Sequence, residues 1–192
     1  MITEPTRIRA FLAVELSAPI RERLAAAARD LRGAGADVKW IDPAVIHLTL
    51  KFLGELAPER VEALKSRLAA ATAGFGRFPI EVRGLGTFGR PPRVVWAGIA
   101  EGAGRLGELA RIAETEAAAV GVAREDRPYS AHVTLGRMKS PKNGGKIQTA
   151  AEARADEIFG RQEVGEAVLF QSRLTPAGAI HTPLDRYPLA GI

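Results

Sequence analysis

IHLTL, at residues 46–50, is repeated later in the chain as AHVTL, at residues 131–135. The protein has three histidines, and two of them occupy the second position of this five-residue frame. Side chains alternate between the two faces of a β-strand, so His47 and Thr49 share one face while the apolar residues take the other. The second copy has the same parity. Each pentapeptide therefore predicts a strand that presents an imidazole beside a hydroxyl group.

The other elements follow from hydrophobic periodicity and from the positions of Gly and Pro. Predicted strands cover residues 7–16, 45–55, 78–89, 93–100, 131–138, 163–174 and 178–189, and predicted helices cover 18–33, 58–74, 103–120 and about 147–158. Short turns join most adjacent strands, which favours an α+β fold with antiparallel sheets over a doubly wound parallel one. The unit that runs from a first strand to an H-x-T strand occurs twice, which indicates an internal duplication.

Length and composition predict one domain. A chain of 192 residues with 46% hydrophobic residues can bury a sizeable core, and no linker rich in Ser or Gly separates its halves. We therefore expect a single bilobed domain over residues 1–192, present as a monomer. The chain has no cysteine, its N-terminus MITEPTRIRA is polar, and no apolar window reaches the length of a membrane span. We expect a cytoplasmic protein without a membrane partner.

The chain is basic, with a formal net charge of +5 and a pI near 10.0. A positive net charge favours a polyanionic partner, for example nucleic acid or a phosphorylated substrate. However, Arg outnumbers Lys 21 to 6 and Ala and Gly are abundant, a pattern that a GC-rich genome also produces. The charge therefore supports an RNA partner only in combination with other features.

One familiar motif is rejected on its context, and a second is not present. Residues 84–89 read GLGTFG, which matches the dinucleotide fingerprint G-x-G-x-x-G literally. That fingerprint must open a helix that receives a pyrophosphate, whereas here two prolines and a predicted strand follow. No G-x-S-x-G elbow occurs, so nothing indicates an activated serine nucleophile.

The paired H-x-T strands provide the groups for displacement at phosphorus. One imidazole can remove a proton from the attacking oxygen while the other protonates the leaving oxygen. The threonine hydroxyls can bond the non-bridging phosphate oxygens. The histidine of a single H-x-T motif is often only a residue of the core. Two copies are hard to attribute to packing, because a core would prefer aliphatic residues in both places. A metal site built from His47, His132 and His181 is the rival interpretation, and it lacks close ligand spacing and carboxylate partners.

The segments IHLTLKFLGE and RPYSAHVTLGRMK resemble the two signature strands of the two-histidine (2H) phosphoesterase superfamily. The flanking segments resemble its bacterial and archaeal branch, the RNA 2′,3′-cyclic phosphodiesterases, which are also called 2′-5′ RNA ligases. These flanking segments are RIRAFLAVEL, VKWIDP, GTFGRPPRVVWAGI and LFQSRLTPAGAIHTPL. The resemblance extends from about residue 7 to residue 189.

The resemblance implies a bilobed, duplicated α+β fold, with two antiparallel sheets lining a central cleft and helices on the outer faces. It implies hydrolysis of an RNA 2′,3′-cyclic phosphate end, tRNA fragments included, to a 2′-phosphomonoester, without metal or nucleotide cofactor. His47 then corresponds to the general acid toward the leaving 3′ oxygen, and His132 to the base that activates water. Thr49 and Thr134 correspond to the phosphate-holding threonines, and Arg137 to an arginine that neutralises the phosphate.

The chain departs from the branch at three positions, of which Ile46 in the first motif has no evident consequence. Ala131 precedes the second histidine where the family often has proline, so the entry into that strand is less rigid. His181 stands where tyrosine is common, and we expect it to be peripheral; a role at the edge of the cleft is the alternative. Strand alternation places Lys51 on the face of His47 and Thr49, which predicts a contact with the phosphate or the next nucleotide; a solvated lysine is the alternative.

Three other functions remain open at this point. ATP-independent 2′-5′ joining of RNA ends uses the reverse chemistry on the same residues. A non-catalytic module that binds RNA ends would rely on the basic charge. A metal-dependent hydrolase would need ligands that the sequence does not place close together.

Overall fold

The computed structural model describes residues 7–176 and 178–190. Within these ranges the chain forms nine strands and four α-helices. The strands are β1 (Ile8–Glu15), β2 (Val38–Trp40), β3 (His47–Leu56), β4 (Phe78–Phe88), β5 (Val94–Ile99), β6 (His132–Met138), β7 (Ile158–Val164), β8 (Glu166–Thr175) and β9 (Gly178–Pro188). The helices are α1 (Ala18–Leu31), α2 (Pro58–Thr72), α3 (Ala103–Ala119) and α4 (Gly144–Glu152).

The strands lie in the order β7-β4-β5-β6-β3-β1-β8-β9, and β2 adds to β6. All neighbouring strands are antiparallel, which confirms the predicted α+β class. The order is symmetric about its centre, because β6 and β3 are each followed outward by three strands in matching positions. Two antiparallel halves therefore meet where β6 and β3 touch, at the pair Leu48 and Val133.

The helices cover one face of this curled sheet. Apolar residues of all four helices share one core cluster with strand residues such as Leu12, Leu48 and Val133. Phe11 and Ala13, which alternate with Leu12 along β1, belong instead to a separate cluster with residues of β8. Since alternate residues of a strand face opposite sides, the second cluster marks the face away from the helices. We call this face of the curled sheet the cleft face, or the cleft. No helix in the described ranges is long and apolar enough to cross a lipid bilayer.

The predicted boundaries in the last third of the chain are partly wrong. The helix expected over about 147–158 begins at Gly144 and ends at Glu152. Residues 158–164 form strand β7, whose alternating burial includes the core residue Phe159. The strand expected over 163–174 is divided at Gly165 between β7 and β8. The short strand β2 was not predicted, because three residues give no periodic signal.

The glycine-rich segment 84–89 belongs to strand β4 and to the turn after it, which confirms that it is not a dinucleotide fingerprint. Gly86 pairs with Trp96 across β4 and β5. A Cβ on Gly86 would clash with the indole ring of Trp96, so only glycine leaves room for that ring. The glycine therefore serves packing on the cleft side of the sheet.

Candidate active site

The two H-x-T motifs lie on neighbouring strands. Leu48 of β3 pairs with Val133 of β6, and both side chains are fully buried in the core. Directly paired residues share a face of the sheet, and their neighbours along each strand take the opposite face. Because Leu48 and Val133 face the helices, the residues before and after each of them face the cleft. The antiparallel register sets the His47 end of β3 against the Thr134 end of β6. The structure thus brings the four predicted residues, His47, Thr49, His132 and Thr134, together on one face.

The prediction that Lys51 shares the face of His47 and Thr49 is wrong, because β3 contains a β-bulge. Leu12 of β1 pairs with Lys51 and Ala13 pairs with Thr49, which leaves Leu50 without a partner. One extra residue reverses the alternation of the strand. The Lys51 side chain therefore points toward the helices, is only 2% exposed, and forms ion pairs there.

A matching bulge in β6 brings Arg137 to the cleft. Val95 of β5 pairs with Gly136 and Trp96 pairs with Thr134, so Leu135 has no partner. Strict alternation would have placed Arg137 on the face opposite Thr134, and the bulge reverses this. The guanidinium is consequently available on the side of the sheet that carries the motifs, and the residue is exposed.

The bulges are symmetric, but the residues that they bring to the cleft differ. Phe52 occupies the position in β3 that Arg137 occupies in β6, five residues after the motif histidine in each case. Phe52 is 53% exposed, and its ring lies 6.4 Å from that of Phe11. One side of the site therefore presents a cation and the other an aromatic surface. Strict alternation puts Phe52 on the core face, so the sequence alone gave no reason to select it.

His47 is enclosed by aromatic rings. Its imidazole stacks on Phe11 with a centroid distance of 4.7 Å and meets the ring of His181 edge-on at 5.2 Å. Burial lowers the pKa of His47 to about 4; the bond to the Val45 carbonyl opposes this shift, and the nearby His181 adds to it. The ring is therefore neutral at pH 7 in the free protein.

Both motif histidines are held in the same tautomer. Nδ1 of His47 lies 2.8 Å from the carbonyl oxygen of Val45, and Nδ1 of His132 lies 2.8 Å from that of Ser130. A carbonyl oxygen only accepts hydrogen bonds, so Nδ1 carries the proton in each ring. Nε2 then holds a free lone pair in the neutral form. Each strand thus presents the nitrogen that can exchange a proton with a substrate.

His132 lies on the other side of the site, next to Phe88. The Phe88 ring meets the imidazole edge-on at a centroid distance of 5.0 Å and lies 5.1 Å from the ring of Trp96. Phe88 is 36% exposed, so part of its surface remains open to the solvent. Each motif histidine is therefore supported by an aromatic side chain from outside its own strand.

The structure places His181 at the site, in contrast to the peripheral position expected from the sequence. The centroid of its ring lies 4.8 Å from the centroid of the Phe11 ring, and the ring is next to His47. Burial lowers the pKa of His181, and the positive charge of Arg9 lowers it further.

Among residues 7–176 and 178–190, no three or more His, Cys, Asp or Glu side chains form a group that could hold a metal ion.

A duplicated antiparallel sheet that aligns two H-x-T motifs on one face defines a class of proteins, the two-histidine phosphoesterases. The sequence matches the family described as LigT like Phosphoesterase over residues 14–96 and 98–181, and each stretch contains one motif. The chain belongs to this family.

Relatives that share one name cover nearly the whole chain. The RNA 2′,3′-cyclic phosphodiesterase of Methanothermobacter thermautotrophicus is 34% identical over 185 residues, which cover 95% of this chain and 100% of the relative. The protein of that name from Archaeoglobus fulgidus is 36% identical over 179 residues, which cover 92% of this chain and 98% of the relative.

Solved structures agree with this assignment. E. coli LigT in its apo form superimposes with a TM-score of 0.77 at 28% identity, covering 96% of this chain and 98% of LigT. The protein TT0787 of Thermus thermophilus gives a TM-score of 0.78 at 29% identity, covering 96% and 99% of the two chains. E. coli LigT has also been crystallised in complex with 3′-AMP.

Proposed function

We propose that this protein hydrolyses the 2′,3′-cyclic phosphate at the 3′ end of an RNA to a 2′-phosphomonoester, with His47 and His132 as the acid–base pair. The observation that carries the proposal is the pairing of Leu48 with Val133, which sets the two motifs side by side on the cleft face. Relatives named RNA 2′,3′-cyclic phosphodiesterase, matched over nearly their whole length, support the substrate class. Because each half supplies one histidine, we also propose that the two halves act as one catalytic domain.

In the proposed reaction, water attacks the cyclic phosphate while the ring oxygen attached to C3′ leaves. Nε2 of His132 accepts a proton from the water as the new P–O bond forms. Nε2 of His47 donates a proton to the 3′ oxygen as the P–O3′ bond breaks. Acid–base catalysis of this kind requires both groups at hydrogen-bond distance from the reacting oxygens. The hydrogen bonds at Nδ1 hold both rings with Nε2 available for this task.

The threonines and the arginine are assigned to the phosphate. Thr49 and Thr134 share the cleft face with the histidines, so their hydroxyls can donate hydrogen bonds to the non-bridging oxygens. Arg137 supplies a planar cation on the same face, and a guanidinium can bind two phosphate oxygens at once. These groups stabilise the negative charge that builds up as water attacks.

The role of His47 as an acid depends on the bound phosphate. A neutral imidazole cannot donate the required proton, and burial leaves His47 neutral at pH 7 in the free protein. A phosphate anion within a few ångströms favours the charged form of the ring and raises its pKa. We therefore propose that substrate binding is coupled to uptake of a proton by His47.

The two sides of the cleft suggest how the nucleotide lies. Arg137 draws the phosphate toward the β6 side, and Phe52 offers an exposed ring on the β3 side. Aromatic side chains stack on bases of any sequence. We propose that the base next to the cyclic phosphate stacks on Phe52.

Product analysis on an oligoribonucleotide that ends in a 2′,3′-cyclic phosphate tests the proposed function. The expected product is the 2′-phosphomonoester, identified by comparison with authentic 2′- and 3′-phosphorylated standards. Adding a second RNA with a 5′-hydroxyl end separates hydrolysis from end joining, because joining creates a 2′-5′ junction. An RNA that is bound but not converted would contradict the proposal and indicate a binding module.

A further inference from the structure

The main-chain contact between the two catalytic strands is short. Among the described residues, β3 and β6 share one register pair, whereas β1 and β3 share eight. The segment from residue 120 to residue 131, which the structure describes completely, contains no helix or strand and is largely exposed. This segment leads directly into β6 and His132. His132 is also paired with Gly98 of β5, but β5 lies on the edge of β6 away from β3, so contacts across the 120–131 segment can help to fix the distance between His132 and β3.

Lys51 provides one such contact. Its Nζ lies 2.9 Å from the Glu114 carboxylate of α3 and donates to the carbonyl oxygen of Ala123 at 3.2 Å. It also lies 3.4 Å from a carboxylate oxygen of Glu125. An ammonium group carries three N–H donors, and these three acceptors match them. The backbone N–H of Glu125 additionally donates to Glu114 at 3.0 Å. The lysine thus binds the start of the 120–131 segment to β3 and α3.

Tyr129 provides the second contact, at the other end of the segment. Its hydroxyl donates to the backbone carbonyl of Thr49 at 3.1 Å. Burial raises the pKa of Tyr129, so the hydroxyl keeps its proton and remains a donor. The next residue, Ser130, accepts the hydrogen bond from Nδ1 of His132. One short stretch of chain therefore connects the backbone of the first motif to the imidazole of the second.

We propose that Lys51 and Tyr129 are positioning residues, which hold the 120–131 segment against β3 and thereby set the separation of the two motif histidines. This inference rests on the proposed function, because the separation matters only if both rings act on one phosphate. Small displacements of catalytic groups reduce the rate of a reaction much more than they reduce substrate binding. Loss of either contact should consequently lower kcat and leave KM nearly unchanged.

The test for Tyr129 is Tyr129→Phe, which removes one hydroxyl and keeps the ring. We expect kcat to fall about tenfold at nearly constant KM, in line with a misplaced but intact catalytic pair. The matched control is Tyr187→Phe, which removes the hydroxyl of a tyrosine of β9 that is buried in the main core. Equal kcat in Tyr129→Phe and the wild type would overturn the role of Tyr129.

The test for Lys51 separates positioning from stability. Lys51→Met leaves Glu114 partly buried without its cation, so this variant should lose stability as well as kcat. The double variant Lys51→Met/Glu114→Gln removes the unpaired charge and should regain stability while its kcat stays low. Lys65→Met, which breaks an ion pair with Glu62 on α2, is the control for loss of a lysine. Recovery of wild-type kcat in the double variant would show that Lys51 acts through stability alone.

Hydrogen–deuterium exchange measures the same contacts without any substrate. We expect faster exchange in residues 120–131 of Lys51→Met/Glu114→Gln and Tyr129→Phe, and no change there in the two controls. Unchanged exchange would overturn the proposed attachment of the segment. Absence of turnover in the wild-type protein would instead contradict the proposed function, so the two failures are distinguishable.

Discussion

Leu48 of β3 and Val133 of β6 are direct partners across two antiparallel strands, and each lies between the histidine and the threonine of its motif. Both side chains are buried on the helix side, so the motif residues on either side of them face the cleft. Residues far apart in the chain are thereby aligned on one surface. This alignment makes the proposed acid–base pair testable one residue at a time.

Replacing either motif histidine by alanine should lower kcat/KM by about 10²–10⁴-fold, because each imidazole is proposed to transfer one proton. The measurement is steady-state hydrolysis of an oligoribonucleotide with a 2′,3′-cyclic phosphate end. Circular dichroism should show an intact fold, since His47 and His132 lie on the cleft face rather than in the main core. Wild-type kcat/KM in either variant would contradict the assignment.

The protonation of His47 should change on binding phosphate. Burial lowers its pKa to about 4, so the free ring should stay neutral as the pH falls from 7 toward that value. A bound 2′-nucleotide adds negative charge, which stabilises the protonated ring and should raise the midpoint. NMR titration of the histidine ring nitrogens, with and without the nucleotide, measures both midpoints. An identical low midpoint in the two states would argue against His47 as the acid.

Arg137→Ala should lower kcat/KM by about 10–1000-fold, because the variant loses a cation that stabilises the charge on the phosphate in the transition state. Arg137→Lys should recover only part of the loss, since an ammonium group lacks the planar pair of donors. Arg111→Ala, at an exposed position of α3, controls for removal of one positive charge. A loss of equal size in Arg111→Ala would mean that net charge, rather than position, is responsible.

Phe52→Ala should weaken the binding of oligonucleotides and leave the chemical step nearly intact. Stacking of one base on an aromatic ring contributes about 1–3 kcal/mol, which corresponds to roughly a 5–150-fold rise in Kd. Fluorescence anisotropy with a labelled RNA that ends in a 2′-phosphate measures this change. Phe52→Tyr keeps the stacking surface and should bind like the wild type. Equal affinity of the alanine variant would place the base elsewhere.

Strand alternation is sufficient to place the four motif residues on one face. It fails directly after each motif threonine, at the bulged residues Leu50 and Leu135. Strict alternation takes no account of the bulges at Leu50 and Leu135, which arise from how β1 and β5 pair with the motif strands, so it puts both Lys51 and Arg137 on the wrong face. A bulge depends on the partner strand, so a single strand's sequence does not reveal it. The family resemblance indicated Arg137, whereas alternation alone would have turned it away from the cleft.

The aromatic surroundings of His47 were also missed, for a related reason. Phe11 lies in the apolar run FLAV, which predicts only a buried strand. It is 4% exposed, but it is buried on the cleft side, against His47 and His181. Burial on either face of a sheet gives the same sequence signal. The sequence assigns His181 to the periphery because it stands where tyrosine is common in the family, and nothing in the sequence of β9 indicates that its ring packs against Phe11 and His47.

A crystal structure of the protein with a nucleoside 2′-monophosphate bound tests the central claim most directly. We predict that the phosphate lies between the two imidazoles, with Nε2 of His47 and Nε2 of His132 each within hydrogen-bond distance of a different phosphate oxygen, on opposite sides of the phosphorus atom. A phosphate held by one ring alone, or bound away from both, would contradict this claim.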